Sequence, residues 1–352
     1  MNNEYYICLE GSNNPIYIDL FSDLSELEQK TRISTYQLSY FLKVFETIEK
    51  RLYTEKFTFY LTLSNLDRLP SYGQNVVAIV LQDEWCRVPK YCHKVRAVFK
   101  CYGTSPTLGC NPFLKPSYLN IMTLFNFIRV WIFGLPGRLN YTFQKFKNER
   151  LNTTKVASIH DIPLGYFNQL DLPMKAIKNR PYDVSFAGSI EQKPHSVWSW
   201  NYWLKSPKTI TRKRMMSAID FIRNRNPNIK FELTINSHFG ASSGADPKSY
   251  SEKLMDTKIC LVPRGASLET YRFFEAIRYG CIVVTEALPS KWFYDRSPAI
   301  KITDWSELVE IVDELVSDRD LMKKKHQESL DWWKTKCSED AVADYITQKL
   351  TK

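Results

Sequence analysis

Short apolar runs alternate with helical patterns and polar loops along the 352-residue chain. The apolar runs are rich in β-branched residues and predict buried strands, at residues 16–20, 57–63, 75–81, 95–101, 182–190, 230–235, 259–262 and 282–284. Elsewhere apolar residues recur three and four positions apart, which predicts amphipathic helices, at residues 37–52, 210–223 and 249–255. Strands that alternate with helices are typical of parallel sheets, so the pattern predicts an α/β protein.

One segment, residues 258–284, carries this pattern most completely. Its first apolar run ends at Pro263, and Gly265 permits a sharp turn into a helical pattern. Gly280 follows the last helical position, where glycine is common because it can adopt a left-handed conformation. A second apolar run begins directly after it. The segment therefore predicts a strand, a loop, a helix and a further strand.

The loop of this segment has the character of an anion site. Loops that lead from the carboxyl end of a strand into a helix bind ligands in open α/β folds, because helix N–H groups and the helix dipole attract anions. Arg264 and Arg272 add positive charge there, and Ser267 or Thr270 is the expected helix N-cap. The backbone of residues 267–270 offers further N–H donors. We expect a diphosphate to bind at this loop.

Composition narrows the class of protein. A hydrophobic content of 44% and a charged content of 24% are those of a globular protein, and the length suffices for two domains. The formal net charge of +10 suits nucleic acid, an anionic membrane or phosphorylated ligands. The basic triplets at residues 212–214 and 323–325 lie in helical patterns and are interpreted as solvated faces, so no nucleic-acid partner is expected. None of the eight cysteines forms a Cys-x-x-Cys pair and the N-terminus lacks a signal-like pattern, which predicts a reduced, cytoplasmic protein.

Residues 118–135 form the longest apolar stretch, interrupted by Asn126 and Arg129 among other polar residues. Two interpretations stay open. We favour a helix packed on the core of the N-terminal domain. The alternative is an interfacial segment whose Phe and Trp side chains enter a membrane, flanked by Arg129, Arg138 and Lys145.

The signature segment resembles a known family. Leu-Val-Pro-Arg-Gly, Tyr-Arg-Phe-Phe-Glu-Ala-Ile and Gly-Cys-Ile-Val-Val, all within residues 258–284, are similar to the C-terminal signature of exostosin-like glycosyltransferases. The resemblance implies the GT-B architecture, in which two Rossmann-like domains face a central cleft. The expected organisation is an acceptor-side domain at residues 1–170 and a linker at residues 171–181. A nucleotide-sugar-binding domain follows at residues 182–335, and a terminal helix at residues 336–352 is expected to cross back to the first domain.

The resemblance also implies a chemistry: transfer of a sugar from a nucleotide-diphosphate donor to a hydroxyl of a glycan or glycolipid, with no cofactor. The expected donor-binding residues are Gly188, Ser189, Arg264, Gly265, Ser267, Thr270, Tyr271, Arg272 and Glu275. Glu275 is expected to accept hydrogen bonds from the ribose hydroxyls. The other interpretation makes it part of a surface ion-pair network with Arg272 and Arg278. Many retaining members have a second glutamate eight positions earlier, where this chain has Ser267. Retention and inversion therefore both stay open.

An inverting transfer needs a general base. Asp83 and Glu84 follow the strong strand pattern at residues 75–81 and are the candidates, with a polar loop cap as the equal alternative. Metal binding is not expected, because no His and Cys residues have ligand spacing. Asp318 and Asp320 have the spelling of an Asp-x-Asp metal motif, but they open a helical pattern and are interpreted as an N-cap and a dipole partner.

The expected setting is surface polysaccharide synthesis in the cytoplasm, at the inner face of an anionic membrane. A non-catalytic GT-B-like module that binds glycans or a partner is the main alternative. A sugar-nucleotide epimerase and a nucleic-acid-modifying transferase are the others.

Overall fold

The computed structural model describes residues 3–11, 14–20, 27, 35–52, 55–151, 156–167, 169–190, 198, 206–235 and 247–351. Contacts group the chain into two compact units. The first unit holds Met1–Pro106, Phe127–Gly165 and Cys337–Lys352, and the second holds Thr107–Asn126 and Tyr166–Lys336. The domain boundaries expected from the sequence stay a prediction.

The first unit is built on a sheet with the strand order β2-β1-β3-β4-β5-β6. Its strands are β1 Glu4–Cys8, β2 Ile16–Tyr17, β3 Thr58–Thr62, β4 Gly73–Val80, β5 Val95–Lys100 and β6 Ser158–Asp161. All neighbours pair in parallel except β2, which pairs antiparallel with β1. The carboxyl ends of β4 and β5 therefore lie at the same edge of the sheet.

The second unit is built on a wholly parallel sheet with the order β11-β10-β9-β7-β8. Its strands are β7 Tyr182–Gly188, β8 Phe231–Ile235, β9 Thr257–Val262, β10 Ile282–Thr285 and β11 Ile300–Lys301. The first unit thus has a mixed, mostly parallel sheet and the second a wholly parallel one, both with the crossover helices of a Rossmann-like fold, which confirms the α/β class.

The α-helices of the described residues surround these sheets. In chain order they are α1 Thr35–Arg51, α2 Tyr118–Leu151, α3 Pro207–Arg225, α4 Pro247–Met255, α5 Tyr271–Arg278, α6 Leu308–Ser317, α7 Arg319–Trp332 and α8 Glu339–Leu350. As expected, Asp318 is an N-cap: its carboxylate accepts hydrogen bonds from the backbone N–H groups of Asp320 and Leu321 and so begins α7.

The signature segment folds as β9, a loop, α5 and β10. Strand β9 is buried on both faces, with Ile259 and Leu261 fully buried among the apolar side chains of α3 and α6. Gly280 ends α5 with a φ of +70° and donates its N–H to the carbonyl of Ile277 at 2.8 Å. A Cβ at Gly280 would lie 2.6 Å from the ring of His326, so only glycine fits this turn.

Helix α2 departs from the expected packing. Over Tyr118–Asn148 its most apolar window has a mean hydropathy of 1.4 and is 17% buried, so by length and composition the helix is able to cross a membrane. The face that meets the protein includes Gly137, where a Cβ would lie 3.4 Å from Val88, whereas Gly134 is covered by the side chain of Arg138 of the same helix. We expected the apolar side chains of this helix to pack on the core of the N-terminal domain. That expectation is wrong, because most of them are not buried.

Candidate anion-binding site

The amino end of α5 has no side-chain cap. Thr270 occupies the N-cap position but makes no capping hydrogen bond, and its buried hydroxyl has no partner among the described residues. Ser267 instead accepts a hydrogen bond from the backbone N–H of Glu269 at 3.2 Å. The capping bond expected from Ser267 or Thr270 is not formed. The backbone N–H of Phe273 donates to the carbonyl of Thr270 at 3.1 Å, and the positive end of the helix dipole favours an anion at this end of α5.

Arg264 leaves the end of β9 and is 6% exposed. Its Nη1 donates to the hydroxyl of Thr123 at 2.9 Å, while its buried Nε has no partner among the described residues. Burial lowers the pKa of Arg264, and the negative charge of Glu286 opposes that shift. The guanidinium is held by a neutral hydroxyl and makes no ion pair in the described part of the chain.

Two further guanidiniums flank the ring of Phe186 at the end of β7. The guanidinium carbons of Arg272 and Arg212 lie 5.0 Å and 5.8 Å from the ring centroid. Arg212 is buried and donates to the carbonyl and hydroxyl of Ser189. Burial first, and then the positive charge of Arg272, lower the pKa of Arg212. Both Nε atoms are buried without a partner in the described residues.

Gly188 makes room for the guanidinium of Arg272 on the ring of Phe186. Its φ is +154°, and a Cβ there would lie 2.5 Å from Nη2 of Arg272 and 3.3 Å from the ring of Phe186. Gly188 stays a predicted donor-binding residue, and in the structure the absence of its side chain admits the guanidinium of Arg272.

Arg212, Arg264 and Arg272 give the second unit a concentrated positive charge with no ion-paired carboxylate among the described residues. Glu286 is the carboxylate whose charge acts on both Arg212 and Arg264. Because buried charges that make no ion pair are costly, the arrangement suits an anion with several negative charges. Interpreting Arg212 as part of a solvated face was wrong. Arg212 shares one face of α3 with Met215, Ile219 and Ile222, all buried, and that spacing was the signal that pointed inward.

Glu275 lies in the middle of α5 and is 4% exposed. Its carboxylate accepts hydrogen bonds from the backbone N–H of Phe167 at 3.1 Å and from the hydroxyl of Tyr250 at 2.7 Å. Burial, and then the charge of Glu275, raise the pKa of Tyr250, which keeps its hydroxyl a donor. The interpretation of Glu275 as part of an exposed ion-pair network is wrong, because the residue is buried. Its role towards ribose hydroxyls stays a prediction.

The remaining predicted donor residues shape the loop. Gly265 donates its N–H to the carbonyl of Ser267 at 2.9 Å, which closes a tight turn, and the ring of Tyr271 lies 5.1 Å from that of Phe167. Glu269 forms a buried ion pair with Lys291 at 2.5 Å.

The candidate base Asp83 lies in the first unit, directly after β4. Its fully buried carboxylate contacts Nζ of Lys100, also fully buried, at 3.0 Å. It also accepts from Nε of Arg87 at 3.0 Å and from the Arg87 backbone N–H at 2.8 Å. A general base must touch the hydroxyl that it deprotonates. The structure therefore does not support Asp83 as the base, whereas Glu84 is exposed in the same loop and stays a prediction.

No protein-family model matches the chain. Among curated proteins it is similar to Exostosin-1 homolog of Caenorhabditis elegans, with 36% identity over 69 residues, which is 20% of this chain and 17% of that protein. It is also similar to Exostosin-1b of Danio rerio, with 32% identity over 87 residues, which is 24% of this chain and 11% of that protein. The matches cover less than a fifth of either relative. They confirm the resemblance to exostosin-like proteins that the signature indicates.

Among solved structures, the chain is similar to a glycosyltransferase of kitacinnamycin. The likeness covers 99% of both chains, with 10% identity and a TM-score of 0.39. Within the described residues, no group of three His, Cys, Asp or Glu side chains is arranged to hold a metal ion. Metal independence stays a prediction.

Proposed function

We propose that the protein is a glycosyltransferase that binds a nucleotide-diphosphate sugar at the second unit and transfers the sugar to a hydroxyl of a glycan or glycolipid. The observation that carries the proposal is the set of Arg212, Arg264 and Arg272, whose guanidiniums make no ion pair in the described residues and lie by the carboxyl ends of β7 and β9. That edge of a parallel sheet is where open α/β folds bind nucleotides.

Each part of the donor has a matching group. The guanidiniums and the amino end of α5 suit the diphosphate, since forked donors match phosphate oxygens and the helix dipole favours negative charge. Glu275 suits the ribose, because a carboxylate can accept from two neighbouring hydroxyls. Substitution of an arginine should therefore weaken binding of any diphosphate, whereas substitution of Glu275 should weaken binding only of ligands that contain ribose.

In the proposed reaction, the acceptor oxygen forms a bond to the anomeric carbon and the bond from that carbon to the diphosphate oxygen breaks. The electron pair leaves with the nucleoside diphosphate, and the acceptor proton passes to a base. Guanidinium charge stabilises the leaving diphosphate, which is the work that a metal ion does in other transferases. Glu84 stays the candidate base. Activity is expected to persist in a chelator such as EDTA.

The acceptor class and a role in surface polysaccharide synthesis are proposed on the resemblance to exostosin-like proteins. A cytoplasmic location is a separate proposal, and it rests on the cysteine pattern of the chain.

The test begins with thermal unfolding of the purified protein in a panel of nucleoside diphosphates and sugar nucleotides, with Glu275→Ala in parallel. A ligand that binds only the folded state raises the melting temperature by mass action. One base is expected to raise it in the wild type and much less in the variant. The matching sugar nucleotide is then incubated with hydroxyl acceptors, and the products are identified by mass spectrometry.

The outcomes separate the rival functions. Binding with transfer supports the proposal. Binding in which the sugar nucleotide is changed without any acceptor indicates an epimerase. The absence of any nucleotide-dependent shift overturns the proposal and favours a non-catalytic glycan- or partner-binding module.

A further inference from the structure

The part of α2 that belongs to the first unit carries an apolar stripe on its outer face. Ile128, Ile132, Leu139, Phe143 and Phe146 recur at intervals of three, four and seven residues and so share one face of the helix. These side chains are between 40% and 62% exposed. A helix of a water-soluble domain normally turns such a stripe towards its core, so the polarity of α2 is inverted.

The opposite face of α2 is held by the first unit. Besides the approach of Gly137 to Val88, the hydroxyl of Tyr141 donates to the carbonyl of Ala157 at 3.0 Å. These contacts fix the rotation of the helix, and the apolar stripe faces away from the unit. They also keep the helix lying along the surface of the unit.

This part of α2 carries a net positive charge. Between residues 127 and 151 the basic residues are Arg129, Arg138, Lys145, Lys147 and Arg150, and the one acidic residue of that stretch of sequence is Glu149. The guanidinium carbon of Arg129 lies 4.8 Å from the ring centroid of Trp85, and the Trp85 ring lies 5.5 Å from that of Phe133. Aromatic side chains, an aliphatic stripe and a net positive charge characterise helices that lie in the headgroup region of an anionic bilayer.

We propose that this outer face of α2 binds the surface of an anionic lipid bilayer. The helix lies parallel to the membrane, with the stripe in the boundary between headgroups and acyl chains and the basic side chains near the lipid phosphates. The helix does not span the bilayer, because its other face is occupied by the protein and Arg129 and Arg138 lie within its apolar part. A second copy of the chain is the less suitable occupant, since it would bring the same positive charges together.

The inference is independent of the proposed transfer, and its test needs neither donor nor acceptor. The whole protein is floated with vesicles of phosphatidylcholine alone and of phosphatidylcholine mixed with phosphatidylglycerol. Binding is expected only to the mixed vesicles. The double variant Phe143→Ser/Phe146→Ser is expected to bind them roughly ten- to a hundredfold more weakly, because each side chain loses part of the burial free energy of a Phe.

Matched controls separate the stripe from general hydrophobicity and charge. Phe221→Ser alters a Phe of α3 that is 57% exposed, and it is expected to bind vesicles as the wild type does. Lys145→Gln/Lys147→Gln is expected to weaken binding roughly 30-fold, at about 1 kcal/mol for each basic residue near the surface. The control Lys323→Gln/Lys324→Gln removes two exposed charges from α7 and is expected to change binding little.

Three results would overturn the inference. The first is that the wild type does not bind mixed vesicles, and the second is that the wild type and Phe143→Ser/Phe146→Ser bind them equally. The third is that light scattering without vesicles shows a dimer for the wild type and a monomer for the double variant. The last result would assign the face to a second copy. The thermal shift caused by nucleoside diphosphates is expected to be the same in the double variant, so failure of one proposal is distinguishable from failure of the other.

Discussion

Two loops in this molecule follow parallel strands and carry charged side chains, and they differ in how those charges are balanced. After β4 in the first unit, the fully buried Asp83 is paired with the fully buried Lys100 at 3.0 Å and with Arg87. After β9 in the second unit, Arg264 is held by a threonine hydroxyl, and nearby Arg272 raises the cost of the charge on Arg212.

The difference separates a structural charge cluster from a ligand site. A buried charge that is paired with an opposite charge of the protein needs no ligand. Removing either partner leaves the other charge buried and unpaired, which destabilises the fold. Buried like charges that make no ion pair in the described residues are stabilised by an anion from outside, although the charge of Glu286 opposes the lowering of the pKa of Arg212 and Arg264. The sequence positions of the two clusters, both directly after strong strands, do not make this distinction.

The largest expected effect comes from Asp83→Ala. It leaves Lys100 buried without its carboxylate, which is expected to lower the free energy of unfolding by about 3–5 kcal/mol. Urea unfolding of the purified variant measures this. The control Asp67→Ala removes an exposed ion pair with Lys90 at 2.9 Å and is expected to cost less than about 1 kcal/mol. If Asp83→Ala kept full stability but lost transfer activity, Asp83 would be the base and the comparison would fail.

Arg272→Ala tests the other cluster. It is expected to raise the Kd for both pyrophosphate and nucleoside diphosphates roughly 10- to 100-fold, because a hydrogen bond to a charged group contributes about 1.5–3 kcal/mol. Stability is expected to be unchanged or slightly higher, since a like charge near Arg212 is removed. Isothermal titration calorimetry measures the affinity, with the exposed Arg319→Ala as control. A large loss of stability in Arg272→Ala would instead mark the cluster as structural.

Glu275→Gln sharpens the assignment within the site. It is expected to raise the Kd for the nucleoside diphosphate about tenfold while leaving the Kd for pyrophosphate unchanged, because only the former has ribose hydroxyls for the carboxylate. The same calorimetry measures both ligands. Equal weakening of the two would show that Glu275 acts on the fold of α5 and not on ribose.

The smallest expected effect concerns His326, a buried side chain that is neutral in the folded protein, unlike the charged Asp83 and Arg212. His326 contacts the carbonyl of Gly280 through Nδ1 at 2.6 Å, and burial lowers the pKa of His326. The unfolded chain then binds a proton more readily than the folded chain, so stability is complete above the unfolded pKa of about 6.5 and is lost as the pH falls below it. Urea unfolding at pH 7 and pH 5.5 is expected to show a drop of roughly 1 kcal/mol, smaller in His326→Gln. An equal drop in both would assign the pH dependence to other groups.

Several features of the fold followed from the sequence. The apolar run of β9, the turn at Gly265 and the helix end at Gly280 are set by neighbouring residues, so local pattern predicted β9, α5 and β10 closely. The same reasoning did not predict β6, whose Ser158–Asp161 sequence is short and polar. A strand of that kind forms only because β5 offers it backbone partners.

The sequence by itself determined the α/β class, the order of the signature elements and the presence of arginines beside a helix terminus. Only the tertiary structure decided which charges are paired, since Asp83 meets Lys100 across two strands and Arg212 meets Arg272 from different helices. It also decided that the apolar stripe of α2 faces outward. The physical reason is that secondary structure depends on residues a few positions apart, whereas burial and charge pairing depend on contacts between segments distant in the chain.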